Sequence, residues 1–263
     1  MRLFYEVAKR AFRRYSTYRS AAIGGTITST VFGVIRASIL LAVFRQQGRI
    51  GDFDARDAVT FAIIGQAMLH MGLMGGHLPL ADRIVSGDIV TDLYRPVDLQ
   101  RFELATDLGR ALYQGVSRCF LTIGVGALIF DLRIAAYPRT LGLFAVSILL
   151  ANVANFGHKF LVTLTTFWTL DYRAPSQMAT VIAMFFSGFA VPVVLFPSWL
   201  EDLCRLLPYV GFSQIPLEVL LGKLHGPELV AALGSQLVWC VLLLLGGRGL
   251  LARATRRVVV QGG

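Results

Sequence analysis

Side chains able to do chemistry are scarce in this sequence, and the most conspicuous of them sit in apolar surroundings. Asn152, Asn155, His158 and Lys159 fall together within the apolar stretch 141–170. Positions 152, 155 and 159 share one helical face at i, i+3 and i+7, with His158 beside them. A polar stripe on a membrane span either binds a neighbouring helix through hydrogen bonds or lines a water-filled path. Arg36 interrupts the apolar run 21–44. A charge at the centre of a span costs about 2.5–3.5 kcal/mol on insertion scales. Arg36 therefore either reaches toward the interface, pairs with a carbonyl or a partner's acid, or serves a pathway. Arg118 lies within two turns of the expected cytoplasmic end of its span, where snorkelling accounts for it.

Other constellations are incomplete. His70 and His77 stand seven apart on one helical face, a spacing that could hold a haem or metal, but metal sites need three or four ligands, so a structural role is the simpler reading. Cys119, Cys204 and Cys240 are widely spaced and form neither a metal-ligand pattern nor a disulfide framework. There is no HExxH and no GxxxxGK[ST] phosphate loop. The chain is expected to be no enzyme itself, with no catalytic residue, metal or cofactor of its own. No Asp or Glu is expected well inside a span, which removes the carboxylate relays that ion-driven carriers use. A membrane-embedded enzyme acting on lipid headgroups would have to draw on Asp82, Asp88, Asp92 and Asp98, which lack the close spacing of metal-bound phosphotransfer. A non-transporting scaffold would bind partners through the same segment.

The elements that must position these residues follow from composition. The 263 residues are 55% hydrophobic and 16% charged, against about 25% charged in soluble domains. Apolar blocks of about 20 residues suffice to cross a hydrocarbon core of ~30 Å. A soluble enzyme is excluded. The net charge of +9 comes from 22 Arg and 3 Lys against 16 acids, an excess that marks cytoplasmic loops rather than nucleic-acid binding. The fold class is all-α integral membrane. Six spans are expected at 21–44, 58–80, 111–130, 141–170, 178–196 and 229–251. With the N-terminus inside, fifteen basic residues fall on the cytoplasmic side and seven outside, so both termini are cytoplasmic.

Residues 1–19 alternate apolar and basic positions at helical spacing, as an interfacial amphipathic helix does. Two connections exceed the usual 2–8 residues between packed helices. The first, 80–110, is cytoplasmic, and its Ile84, Val85, Ile89 and Leu93 suit a short amphipathic helix across the Ser86–Gly87 break. The second, 197–227, lies outside, and Pro208, Gly211, Pro216 and Gly222 divide it into arms of about ten residues. Such an arm covers ~15 Å, half a bilayer, which fits two short re-entrant helices. The whole chain, 1–263, is expected to form one membrane domain.

The segment IVSGDIVTDLYRPVD, the basic N-terminal helix and the stretch FFSGFAVPVVLFPSWL together resemble the type-2 permeases of ABC exporters, in a bacterial subgroup of ABC transporter family proteins. The terminal RRVVVQGG is similar to that subgroup as well. The resemblance implies six spans, an amphipathic connecting helix before the first, and a coupling helix between spans two and three that docks into an ATPase. Carried over by position, that docking role falls on Ser86, Gly87, Asp88, Ile89, Val90 and Asp92, with Arg95 and Pro96 closing the segment. It further implies two ATP-binding-cassette ATPase subunits that hold ATP and Mg, and a second permease, either the same chain or a paralogue. The setting implied is the lipid bilayer of a bacterial cytoplasmic membrane, with no nucleic acid. Substrate would move outward past Arg36, Asn152, Asn155, His158 and Lys159, whose cationic and amide groups favour an anionic or amphiphilic cargo.

Overall fold

The computed structural model describes residues 2–16, 19–72, 78–134 and 137–261. Among these residues the chain is helical, with no β-strand. The helices are α1 (Arg2–Ser16), α2 (Arg19–Gln47), α3 (Ala55–Leu69), α4 (Leu80–Ser86), α5 (Ile89–Leu93), α6 (Leu99–Ile129), α7 (Pro138–Leu164), α8 (Thr166–Thr169), α9 (Arg173–Phe186), α10 (Ser198–Leu206), α11 (Gln214–Leu220) and α12 (Gly226–Gln261). Four helical stretches are long and apolar enough to cross a membrane: Gly24–Gln47, Leu99–Ile129, Pro138–Thr169 and Gly226–Arg256. Their outward faces carry large apolar side chains such as Phe32, Phe120, Leu149 and Leu245, as lipid-facing or partner-facing surfaces do.

The two remaining expected spans take a different form. α3 has 15 residues and reaches only ~23 Å. It is buried without interruption from Asp57 to Met68, walled by α2, α6 and α11. The expected span 58–80 ends as helix at Leu69, and His77 lies outside the described residues. The expected span 178–196 stops at Phe186. Gly188 there adopts φ +74°, and a Cβ on it would come within 2.3 Å of Gln214 Oε1. The same oxygen accepts the Val193 N–H at 3.1 Å. Pro192, which has no N–H to donate, follows, and Val193–Leu195 form a 3₁₀ turn.

α6 corrects the sequence expectation at its start. Asp98 caps it by accepting the Arg101 N–H at 2.8 Å, so the helix begins twelve residues before the expected 111. Two acids therefore stand on a membrane-length helix, with Glu103 3% and Asp107 6% exposed. Arg118, expected near the start of its span, lies about 28 Å along this helix.

The 80–110 segment holds two short helices, α4 and α5, before α6 begins at Leu99. α4 and α5 flank Gly87, which supplies the left-handed φ of +84°. The 197–227 segment holds two short helices, α10 and α11, joined by the 3₁₀ turn Pro208–Gly211. α1 lies along α6. Ala11 is buried, Phe12 meets Tyr113 edge to face at 5.4 Å, and Gly109 lets the Ala8 backbone approach so closely that a Cβ would sit 2.2 Å from the Ala8 carbonyl oxygen.

Polar side chains sew the long helices together. Thr30 and Thr122 hydroxyls are 3.1 Å apart, and Gln66 donates to Ser29 at 2.9 Å. Ser147 donates to Gln236 at 2.9 Å, and Gln100 donates to the Leu244 carbonyl at 2.9 Å. Between helices in lipid such bonds replace the missing hydrophobic drive.

Candidate coupling segment and membrane site

The helices α4 and α5 present a tip and hide a base. Ile84 and Ile89 are buried with Leu80, Phe156, Phe160, Leu164 and Ala254. Ser86, Gly87, Asp88, Val90, Arg95 and Pro96 are exposed, as are Val85 and Tyr94. The turn at the tip is closed locally: the Ser86 hydroxyl donates to Asp88 Oδ2 at 2.7 Å, and the Thr91 hydroxyl donates to the Asp88 carbonyl at 2.8 Å. Six of the expected docking residues are thus exposed, whereas Ile89 anchors the tip and Asp92 is half-buried.

Asp92 has a structural partner that the sequence did not reveal. Arg83 Nε lies 2.8 Å from Asp92 Oδ2, and the same guanidinium pairs with Glu103 on α6. Arg95 adds a looser contact to Asp92 at 3.3 Å. Tyr172, just before α9, donates its hydroxyl to Asp82 Oδ1 at 2.7 Å, and that hydrogen bond raises the Tyr172 pKa.

One turn beyond Glu103 stands a second ionic cluster. Lys159 Nζ lies 2.9 and 3.1 Å from the two oxygens of Asp107, and Arg110 reaches Asp107 Oδ1 at 2.7 Å. Arg110 also donates to Gln114 at 2.7 Å. Its guanidinium lies over Gly72, where φ is +77° and a Cβ would fall 2.5 Å from it. Asn155 donates to the Gly72 carbonyl at 2.6 Å. Lys159 and Asn155 therefore join α7 to its neighbours.

The other members of the stripe behave differently. Asn152 is 4% exposed and donates to Ile148 O of its own helix at 2.9 Å. His158 faces aromatic rings, with Tyr209 edge-on at 5.4 Å and Phe212 at 6.0 Å. Asn155, His158 and Lys159 border a cleft of about 10 Å³ toward α9, room for about one water.

Arg36 is placed apart from the stripe. Its Nε and both terminal nitrogens are buried and make no hydrogen bond among the described residues. The guanidinium lies 4.4 Å from the Phe189 ring and 6.0 Å from the Phe61 ring, a cation–π contact that offsets part of the desolvation.

Sequence reasoning also missed Asp57. It is fully buried at the start of α3, with Arg133 at 3.0 Å and Lys223 at 2.5 Å. Asp54 and Asp57 form a reciprocal capping box there. Burial pushes the Asp54 carboxyl up, but the Asp57 N–H and Arg133 outweigh it and hold the group below its ordinary range. For Glu103 and Asp107 a signal existed: they stand four apart on a face shared with Leu99 and Ala111.

Residues 32–262 match the profile of the ABC-2 family transporter proteins. The chain belongs to the ABC-2 transporter family. No curated protein matches it. ABC-2 permeases generally work with ATP-binding-cassette partners, and the four long apolar helices agree with a multi-pass membrane protein. In this ABC-2 chain the exposed α4–Gly87–α5 tip is the surface that the resemblance assigns to such a partner.

Proposed function

We propose that the chain is the transmembrane permease subunit of an ATP-driven exporter, not itself an enzyme. ATP and Mg would be held by two separate ATPase subunits, and two permeases, identical or paralogous, would enclose one pathway. α3 and α9 would complete six crossings, with α10 and α11 dipping into the outer leaflet of a bacterial cytoplasmic membrane. Both termini would be cytoplasmic. Closure of the ATPases on ATP would move the α4–α5 tips, and rigid helices would convert that motion into alternating access.

The observation that carries this reading is the tip itself. Val85, Val90 and Tyr94 are 48%, 37% and 86% exposed beside Asp88, on a base that is fully packed. An isolated tip has no use for such a patch, whereas a docking surface does. Of the five residues expected along the pathway, Arg36 and His158 retain that role in our reading. Asn152, Asn155 and Lys159 are spent within the protein.

The test is Asp88→Arg in the complex of permease and ATPase. We expect loss of substrate-stimulated ATP hydrolysis and transport, with the thermal unfolding midpoint of the permease unchanged, because among the described residues Asp88 bonds only within its own turn. A variant complex that transports at the normal rate would sink the coupling assignment.

A further inference from the structure

A cavity of about 480 Å³ opens where the chain before α3, the α10–α11 unit and the first turns of α12 meet. It lies near Glu228–Ser235, whereas Ala254, about 33 Å further along α12, packs with the α4–α5 base. The cavity is therefore remote from the coupling segment. Asp52, Glu218 and Glu228 border it against Arg205 and Lys223. Three acids and two bases leave a net charge of −1 in a chain whose total is +9.

Both bases are already engaged. Arg205 donates to Glu201 at 2.9 Å and to Glu218 Oε1 at 3.3 Å. Lys223 lies 2.5 Å from Asp57 Oδ2 and 2.6 Å from the Asp52 carbonyl. Glu218 is 3% exposed, and its Oε1 also accepts from Gln214 at 2.8 Å. Its Oε2 is buried and has no hydrogen-bond partner among the described residues. A buried carboxylate oxygen left without a donor is destabilised, and a cationic donor supplies the stronger kind of bond. Ser235 donates to the Ala232 carbonyl at 2.8 Å, which leaves its own oxygen free to accept. The remaining wall is apolar, with Phe53, Val210, Ile215 and Leu224.

We infer that this cavity binds a primary ammonium group carried on an apolar body, with Glu218 as its acceptor. An ammonium is compact and brings three donors together with the charge that the lining lacks. A hydroxyl brings one donor and no charge. The volume lies within the range of small-molecule sites. The amine could come from a lipid headgroup or from a free amphiphilic amine, and the two sources are separable.

The test uses the purified full chain and its unfolding midpoint, and no transport is read. Octylamine should raise the midpoint of the wild type, whereas octanol and octanoate should not. Glu218→Gln should weaken the apparent octylamine affinity about tenfold or more. Ala231→Trp, at an exposed position on the cavity wall, should abolish the shift by filling the space. If Glu218→Gln does not fold, Ala231→Trp carries the comparison. Nanodiscs with and without phosphatidylethanolamine then assign the source. A Glu218-dependent shift with that lipid marks a headgroup site, and a shift with octylamine alone marks a free amine. Equal shifts with octanol, no shift in the wild type, or unchanged binding in the folded variants would overturn the assignment.

Discussion

Asp107 receives two cations inside the helical core, and Lys159 is the one that arrives from another helix. Both side chains are nearly sealed, at 6% and 7% exposed. Breaking a buried pair by removing one partner is destabilising by about 3–5 kcal/mol, because the survivor stays charged without full compensation. Lys159→Met should therefore lower the unfolding midpoint in detergent sharply. The double variant Asp107→Asn/Lys159→Met should recover much of that loss, which a double-mutant cycle on the unfolding midpoints would read. Additive losses would show that the two groups act independently. Lys159 was legible in the sequence as part of a polar stripe, but its pairing with Asp107 was not. Hydropathy places the third span where charges end, and Asp107 falls in the charged part of a helix that continues through.

At the scale of elements, the periodic ones were the readable ones. The alternation of Leu3, Phe4, Val7 and Ala11 with arginines marked α1, and the structure seats that helix on α6. Gly87 marked the break between α4 and α5, since a left-handed residue there favours glycine. The end of α9 was not readable, because the cause is remote: the Gln214 side chain holds the chain after Gly188 from α11. The seating of α1 rests on Gly109. Gly109→Leu should push α1 away, since the nearest obstacle is backbone rather than a yielding side chain. Trypsin should then cut faster after Arg10 and Arg13, which are exposed, while the unfolding midpoint of the remaining helices moves little. Unchanged cleavage would mean that α1 is not held by this contact.

At the scale of the whole molecule, the crossing number decides where the tips face. With the N-terminus cytoplasmic, as proposed, and only the four long helices crossing, Tyr94 would lie outside and Tyr137 inside; with α3 and α9 crossing too, these positions exchange. Tyr94 and Tyr137, 86% and 75% exposed, report the difference. A membrane-impermeant maleimide should label Tyr137→Cys in intact cells and Tyr94→Cys only after the cytoplasm is opened, against the wild-type background of the three native cysteines. The opposite pattern would remove the six-crossing arrangement.

The Arg83 guanidinium touches acids on two elements, Asp92 on α5 and Glu103 on α6. The covalent route from α5 back to α4 runs through Gly87, the most pliant residue type. On the coupling role proposed above, a push delivered to α5 would reach α6 through the short covalent link 94–98 and through this strut of opposite charges, with a soft hinge toward α4. Such a strut holds only while its charges stay in contact, so it would favour one placement of α4, α5 and α6 over others.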